Sequence, residues 1–468
     1  MDPLESINPI DGRYRQQLEE LSKYFSEHAL MIERVRVEVA YLRKFIEEVE
    51  EEKLSELPIN WRERIAIIPA ELSLEEARKI KEIEAEIGHD VAAVTRYIRE
   101  KLRNMGLEIL APYVHIGLTS EDVNNLAYSR LLSRFNREAL LPSLVRLLER
   151  IAELALEHVD TVMLGRTHGV PAIPTTFGRF LANYAYRLAK IADQIYDFKF
   201  PGKLGGAVGD HSALKFAYPD IDWVKFSREF VESLGLEYVP SATQILPHEG
   251  ISRYLMNISL LDSILSNLCR DLWMMSALGL LVFTIKKGEV HSSTMPHKSN
   301  PIFLENAEGS FDLASATASY IAKRLLSSRL HRDLSDSVIK RFYGLPSSLT
   351  ILGVANLNRA LERMLVNREE MLSEVESHPE SLAEAYQVYL RRAGIEDAYE
   401  IIQDSLREGW NEVLRTMRNV LPEESYEEVA SIKPSRYIGE SEKVTLLLLD
   451  EVEKIYKKIT DYLAGARS

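Results

Sequence analysis

Cysteine is almost absent from this chain, since Cys269 is the single one among 468 residues. A lone cysteine excludes an internal disulfide and a zinc site built from cysteines. Such low cysteine usage is typical of a reducing compartment, so we expect a cytoplasmic protein.

Long apolar runs are absent as well. The most apolar stretch, "WMMSALGLLVF" at residues 273–283, is too short to span a bilayer. We interpret it as part of a buried core helix that continues to the lysines and Gly288 of "IKKGE". The start of the sequence lacks the basic-then-apolar pattern of a signal peptide. We therefore expect no membrane partner.

Positive charge is in deficit, with 57 basic against 71 acidic residues and a net charge of −14. This balance argues against nucleic acid or an anionic membrane as the main partner. Small anionic ligands remain possible, because a local cluster of Arg and Lys can override the field of the whole chain.

Two common binding signatures are missing. The eleven histidines include no H-x-x-x-H pair or similar spacing, so we expect no metal site. The glycine-rich "KLGGAVGD" at residues 203–210 lacks the G-x-G-x-x-G spacing and a preceding strand. We interpret it as a turn against packed backbone rather than a nucleotide loop.

Helical periodicity dominates what is present. Val35, Val39, Leu42, Ile46 and Val49 alternate spacings of four and three, which predicts one seam of a bundle helix. Longer patterns of the same kind fill the middle of the chain, and alternating strand patterns are nearly absent. The sequence therefore predicts an all-α fold with long bundle helices. Interruptions in the pattern suggest three domains, at residues 1–111, 112–360 and 361–468.

The stretch "HSSTMPHKSNP" at residues 291–301 concentrates hydroxyls, histidines, a lysine and an asparagine between predicted helices. We expect Asn300 as an N-cap and Pro301 as the first helical residue. Lys298 then lies just before a helix amino terminus, where its charge and the helix dipole both attract an anion. A functional loop is favoured, and a solvated connector is the alternative.

Two other loops carry reactive groups. "HIGLTSEDVNNL" contains Thr119-x-x-Asp122, a capping box whose helix start, with the hydroxyls of Thr119 and Ser120, suits a carboxylate. "GRTHGVPAIPTT" sets His168 in a short rigid loop, where it is a candidate acid or base. His115 and His168, each taken alone, are equally compatible with a structural role.

Basic residues gather in "SSRLHRDLSDSVIKR", which offers a phosphate site or a solvated helical face. Its candidate residues are Arg329, Arg332, Ser337, Lys340 and Arg341. The early "NPIDGRY" adds Arg13 and Tyr14.

Together these motifs resemble one enzyme family. "SSTMPHKSNP" is similar to the signature loop of the fumarase/aspartase superfamily, and the T-S-E-D and R-T-H-G stretches match its other active-site segments in order. Over nearly its full length the chain resembles the adenylosuccinate lyases, in their longer bacterial-type branch. "GHDVAAV", "TQILPHE" and "RDLSDS" carry the resemblance further.

The resemblance implies a three-domain helical fold and a homotetramer with active sites shared between subunits. It implies small-molecule nucleotide substrates and two reactions, adenylosuccinate to AMP and the succinylcarboxamide ribotide SAICAR to AICAR, each releasing fumarate. It implies no metal and no organic cofactor.

Roles follow by position in the family's motifs. Ser292 is implied as the base that takes a Cβ proton, and His168 as the acid that protonates the departing nitrogen. Glu305 is implied to orient His168. Asn306 and His115 are implied helpers, and the implied carboxylate-binding residues are Lys298, Asn300, Thr119, Ser120 and Gln244. The implied nucleotide-binding residues are Arg13, Tyr14, His89, Asp90, Arg332, Ser337 and Arg341.

Two positions depart from the family pattern. His291 stands where the family commonly has Gly, and Gly88 stands where the bacterial branch often has Asn. The alternatives are another superfamily member, such as an argininosuccinate lyase or a carboxymuconate cycloisomerase, and a non-catalytic scaffold on the same fold. The "DGRY" start and the cluster at residues 332–341 favour a phosphate-bearing substrate over those of the other superfamily enzymes. The scaffold is disfavoured because the chain retains Ser292, His168, Lys298 and Glu305 together.

Overall fold

The all-α prediction is confirmed by a computed structural model, which describes residues 2–284, 295 and 299–465. The first seven helices are α1 (Arg15–Leu18), α2 (Ser22–Phe25), α3 (Glu27–Glu48), α4 (Trp61–Ile67), α5 (Leu74–Ile87), α6 (Asp90–Asn104) and α7 (Ser120–Phe135). The next are α8 (Leu141–Glu157), α9 (Phe177–Tyr196), α10 (Ser212–Ala217), α11 (Trp223–Ser233), α12 (Glu249–Ala277), α13 (Ile302–Leu325), α14 (Ser335–Lys340) and α15 (Gly344–Arg363). The last are α16 (Arg368–Glu376), α17 (Ala383–Arg392), α18 (Ala398–Arg407), α19 (Trp410–Val420), α20 (Glu423–Ala430) and α21 (Ser441–Gly465).

The strands are short and form three pairs. They are β1 (Val162–Thr167) with β2 (Val170–Thr176), β3 (Pro201–Gly202) with β4 (Glu237–Tyr238), and β5 (Leu281–Phe283) with β6 (Met364–Val366). The β3–β4 pair is parallel and the other two are antiparallel. The sequence did not predict the β1–β2 hairpin, because two prolines in β2 obscure its strand pattern.

The chain divides into two compact units, each made of three separate stretches. The first comprises Met1–Ser143, Ile191–Ser263 and Gly309–Gly353, and the second comprises Leu144–Lys190, Ile264–Glu308 and Val354–Ser468. Helices α8, α9, α12, α13 and α15 are each divided between the two. This is a different division from three consecutive domains, and the three-domain organisation stays a prediction.

The first unit has a core around α3 to α6. Val35, Val39, Leu42 and Ile46 of the predicted seam are buried there, whereas Val49 is half-buried because it caps α3. Each buried side chain of this size contributes about 1.5–3 kcal/mol relative to an exposed one. In the second unit, α17 to α20 enclose a smaller core that includes Tyr386.

The predicted core helix over residues 273–283 is wrong in its extent. Helix α12 ends at Ala277, because Gly279 adopts a left-handed φ of 77° and the Leu280 N–H bonds to the Met275 carbonyl at 3.0 Å. Trp273 and Met274 are exposed, and β5 follows. Over the described ranges, no helix combines the length and the apolar character that crossing a bilayer requires.

Candidate active site

The signature loop lies mostly outside the described residues, and this includes Ser292, Lys298 and His291. Its last part is described, where the Ser299 hydroxyl donates to the Phe283 carbonyl at 2.8 Å. Helix α13 begins at Ile302, and the Pro301 carbonyl accepts from the Leu304 N–H at 2.9 Å. The predicted helix start is therefore confirmed to within one residue.

His168 lies at the tip of the β1–β2 hairpin. Thr167 pairs with Val170, so His168 and Gly169 form a two-residue turn, with φ values of 55° and 78°. Two successive positive φ angles define a type I′ turn, whose twist suits a hairpin. An ion pair of Arg166 with Glu374 ties the hairpin to α16. The imidazole of His168 is exposed at this tip.

Glu305 lies in the first turn of α13 and Asn306 directly follows it, and both are exposed. A Glu305 carboxylate oxygen accepts a hydrogen bond from the Trp273 indole N–H at 3.2 Å. Among the described residues of one chain, no hydrogen bond joins His168 to Glu305, so their pairing stays a prediction.

The start of α7 is built around Asp122. As the capping box predicts, Thr119 is the N-cap and its N–H donates to the Asp122 carboxylate at 2.9 Å. That carboxylate also accepts from Lys203 Nζ at 2.7 Å, and both side chains are fully buried. Thr119 and Ser120 stay half-buried beside this pair.

The glycine-rich turn serves the same carboxylate. The Gly205 and Gly206 N–H groups donate to Asp122 at 2.9 and 3.0 Å. A Cβ on Gly209 would lie 2.4 Å from the Ala242 carbonyl oxygen, so backbone packs closely there. The interpretation as a turn against packed backbone is confirmed, because an internal carboxylate occupies the N–H groups that a nucleotide loop offers to phosphate.

His115 precedes this helix start and carries a strained backbone. Its φ is 66°, which is unusual for a residue other than glycine. Its Nδ1 lies 2.6 Å from a carboxylate oxygen of Glu38, a fully buried residue of α3. Burial lowers the pKa of His115, but the hydrogen bond and charge of Glu38 outweigh it and raise this pKa above its usual value.

Arg332 is paired with carboxylates around α14. It lies 3.2 Å from Glu121 and donates to the Ser337 hydroxyl at 3.4 Å. Lys340 bridges Glu121 and Asp336, at 2.6 Å from the latter. Burial raises the pKa of Asp336. Its interactions with His248, Lys340 and Arg332 outweigh burial and lower this pKa below its usual value. Glu121 directly follows Ser120, so these ion pairs tie the predicted phosphate cluster to the start of α7.

Arg341 is paired at the start of α6. It donates to Glu27 at 2.6 Å and to Asp90 at 3.3 Å, and Asp90 also accepts from Arg34 at 2.7 Å. Burial raises the pKa of Asp90, but the charges of Arg34 and Arg341 and the Val91 N–H lower it below its usual value. His89 is the N-cap of α6, so the structure places His89, Asp90 and Arg341 together.

Gln244 lies against the glycine-rich turn, since its Nε2 donates to the Ala207 carbonyl at 3.0 Å. Its neighbour Thr243 donates to the His331 carbonyl at 2.9 Å, next to Arg332. Arg341 and Arg15 help to line a cavity of about 850 Å³ in the first unit. Arg13 is exposed and Tyr14 is half-buried, and both lie between the lining residues Asp11 and Arg15 in sequence.

No sequence motif marks three of the charged residues of this region. Glu38 lies within the apolar pattern of α3, Lys203 lies in the glycine-rich turn, and Asp336 lies in a basic stretch. An isolated acid or base on a predicted buried face is the signal that points to such residues, because a buried charge requires a partner. No group of potential ligands that could hold a metal ion occurs within the described residues.

Two models of known protein families match this chain, and both describe lyases. Residues 12–311 match the family model described as "Lyase", and residues 328–438 match the model described as "Adenylosuccinate lyase C-terminal". Two solved structures share the fold at 20% sequence identity. The fumarate lyase from Mesorhizobium sp. BNC1 has a TM-score of 0.74, and the match covers 92% of this chain and 97% of that one. The 3-carboxy-cis,cis-muconate lactonizing enzyme from Pseudomonas putida has a TM-score of 0.73, and the match covers 93% of this chain and 97% of that one. The protein is a lyase, and the predicted carbon–nitrogen lyase class is confirmed.

Curated relatives narrow the class. Adenylosuccinate lyase of Escherichia coli K12 is 35% identical over 463 residues, covering 97% of this chain and 100% of the relative. The Haemophilus influenzae enzyme is 36% identical over 445 residues, covering 94% and 97%. The chain belongs to the adenylosuccinate lyase family, and the predicted resemblance and function are confirmed at the level of that family.

Proposed function

We propose that the protein removes fumarate from adenylosuccinate to give AMP and from SAICAR to give AICAR. The supporting observation is the cluster in the first unit. Arg332 and Lys340 contact Glu121 at the start of α7, although Lys340 and Glu121 are 219 residues apart in sequence. One guanidinium and one ammonium group beside a helix amino terminus suit a substrate that carries both phosphate and carboxylates.

The chemistry divides between a base and an acid. Ser292 takes a proton from Cβ of the succinyl group, the electron pair forms the double bond of fumarate, and the C–N bond breaks. His168 gives a proton to the departing nitrogen, which suits an imidazole near pH 7. Loss of the Cβ proton puts negative charge into the neighbouring carboxylate. The residues that hold that carboxylate and stabilise the transition state are Lys298, Asn300, Thr119, Ser120 and Gln244.

Glu305 orients His168, and Asn306 and His115 assist. The nucleotide end of the proposed site is formed by Arg13, Tyr14, His89, Asp90, Arg332, Ser337 and Arg341.

The first test is turnover by the purified protein, followed as falling ultraviolet absorbance when adenylosuccinate is added. Turnover of argininosuccinate or carboxymuconate instead would contradict the assignment. Ser292→Ala should lower kcat by about 10²–10⁴-fold, with Ser293→Ala, the other serine of the pair, as the matched control.

We also propose a homotetramer in the cytoplasm whose active sites are shared between subunits. Exposed apolar residues support it: Met256 and Leu260 on α12, and Leu313 and Tyr320 on α13. Such residues on long helices suit contacts between copies. Light scattering should give four times the 53.4 kDa of one chain. Mixing inactive Ser292→Ala and His168→Asn subunits should restore part of the activity, whereas unshared sites would give none.

A further inference from the structure

Glu38 is a buried carboxylate with an unusual partner. Both Glu33 and Glu38 belong to α3 and are fully buried. Glu33 is surrounded by the guanidinium groups of Arg36, Arg130 and Arg134. By contrast, Glu38 is bonded to the imidazole of His115 at 2.6 Å, and its second oxygen has no hydrogen-bond partner among the described residues. An unpaired buried carboxylate is costly, so Glu38 depends on His115 for a proton or a positive charge.

The backbone around His115 is fixed on both sides. Arg99 donates to the Val114 carbonyl at 3.0 Å, and the Tyr41 hydroxyl donates to the Ile116 carbonyl at 2.9 Å. A φ of 66° at His115 costs free energy that the surrounding contacts must offset. Because Glu38 engages Nδ1, Nε2 is the ring nitrogen left for a ligand, four residues before the N-cap Thr119.

Three charged groups act on this imidazole from the packed elements. They are Glu38 from α3, Asp122 from α7 and Arg99 from the last turns of α6. The two carboxylates favour the protonated ring, and the guanidinium disfavours it. The charge of Asp122 is also shared with Lys203, so Glu38 is the dominant local anion for His115.

We propose that Glu38 is a positioning residue for His115, holding Nδ1 so that a protonated ring presents Nε2–H to an oxyanion of the substrate beside the start of α7. This inference rests on the proposed function, because the oxyanion is a carboxylate or the phosphate of adenylosuccinate. Glu38 itself does not touch the substrate. It acts through the orientation and charge of His115.

Glu38→Gln tests this, because it keeps the shape of the side chain and removes its charge. We expect KM for adenylosuccinate to rise about tenfold with a much smaller change in kcat, as loss of a charge-assisted contact does. Removing the anion lowers the pKa of His115. The alkaline fall of kcat/KM should therefore move to lower pH by about one unit. Glu38→Asp keeps the charge and should restore part of the wild-type KM and pH profile.

Glu33→Gln is the matched control, since it places the same substitution in the same helix beside arginines. It should lower thermal stability without moving the pH profile. In a His115→Asn background, which tolerates the positive φ, Glu38→Gln should change KM little further. An equal effect of Glu38→Gln with and without His115, or an unmoved pH profile, would overturn the proposal.

Product inhibition distinguishes the two oxyanions. If Glu38→Gln weakens inhibition by fumarate, the group is a carboxylate, and if it weakens inhibition by AMP, the group is the phosphate. No change in inhibition by fumarate or by AMP contradicts the inference.

A wild-type protein without activity on adenylosuccinate would instead refute the proposed function. The pH dependence of diethyl pyrocarbonate modification at His115, read by mass spectrometry, then tests Glu38 without substrate, and an unshifted midpoint in Glu38→Gln would overturn its role.

Discussion

The start of α7 and the turn between β1 and β2 differ in whether their polar side chains have partners within the chain. At α7, every charge has a partner within the chain: Asp122 with Lys203, and Glu121 with Arg332 and Lys340. At the hairpin turn, His168 projects from a strained backbone with its imidazole exposed. In the first region the charged side chains therefore satisfy one another. The second presents a reactive group whose proposed partner, Glu305, is bonded to Trp273 instead.

The two regions should therefore respond differently to substitution. Changes at α7 remove partners from buried charges and should appear first as lost stability. Changes to the His168 side chain leave the fold intact and should appear first as lost rate.

The largest effect should follow from His168→Asn. Asparagine tolerates the positive φ of this turn but cannot donate a proton as an acid, so kcat should fall by about 10²–10⁴-fold. Thermal unfolding should be nearly unchanged. A variant with normal kcat would remove His168 as the acid, and a large loss of stability would mean that the His168 side chain supports the fold.

Asp122→Ala should be the most destabilising change in the first unit. It leaves Lys203 buried without its counter-ion and the Gly205 and Gly206 N–H groups without their acceptor. Breaking a buried pair in this way costs about 3–5 kcal/mol, measured as a lower midpoint of denaturant or thermal unfolding. Asp210→Ala changes an exposed acid of the same glycine-rich stretch, whose carboxylate accepts from the Ser212 N–H at 3.2 Å, and as the control it should cost no more than about 0.5–2 kcal/mol. Equal stability of the two variants would contradict the central role of Asp122.

Gly169→Ala should have an intermediate effect on stability. An added Cβ meets no atom within 4 Å, so its cost comes from the φ of 78° alone. That cost is about 1–2 kcal/mol for a residue in the left-handed region. Gly169→Asn should lose less, because asparagine adopts this conformation more readily. If both variants melt like the wild type, the turn is not the I′ turn described here.

Trp273→Phe should give the smallest effect. It keeps the aromatic ring but removes the N–H that holds Glu305, and one hydrogen bond of this kind contributes about 0.5–1.5 kcal/mol. We expect kcat to fall about two- to tenfold. In a Glu305→Gln background the same change should add little, and an undiminished effect there would show that Trp273 acts elsewhere.

The sequence predicted local features well and long-range pairs poorly. The Thr119 capping box and the start of α13 depend on neighbours within a few residues, so they could be read directly. The stop at Gly279 was missed because the apolar run continues past it into β5. The Glu38–His115 contact spans 77 residues, and no local pattern encodes a partner at that distance.

The interleaved stretches of the two units have a consequence for recombination. Any single cut between residues 144 and 353 leaves pieces of both units in each fragment. Gene fragments joined at such a point from two distant homologues must therefore match inside both cores at once. We expect viable crossovers to concentrate near residues 143 and 353, where one fragment carries a part of only one unit.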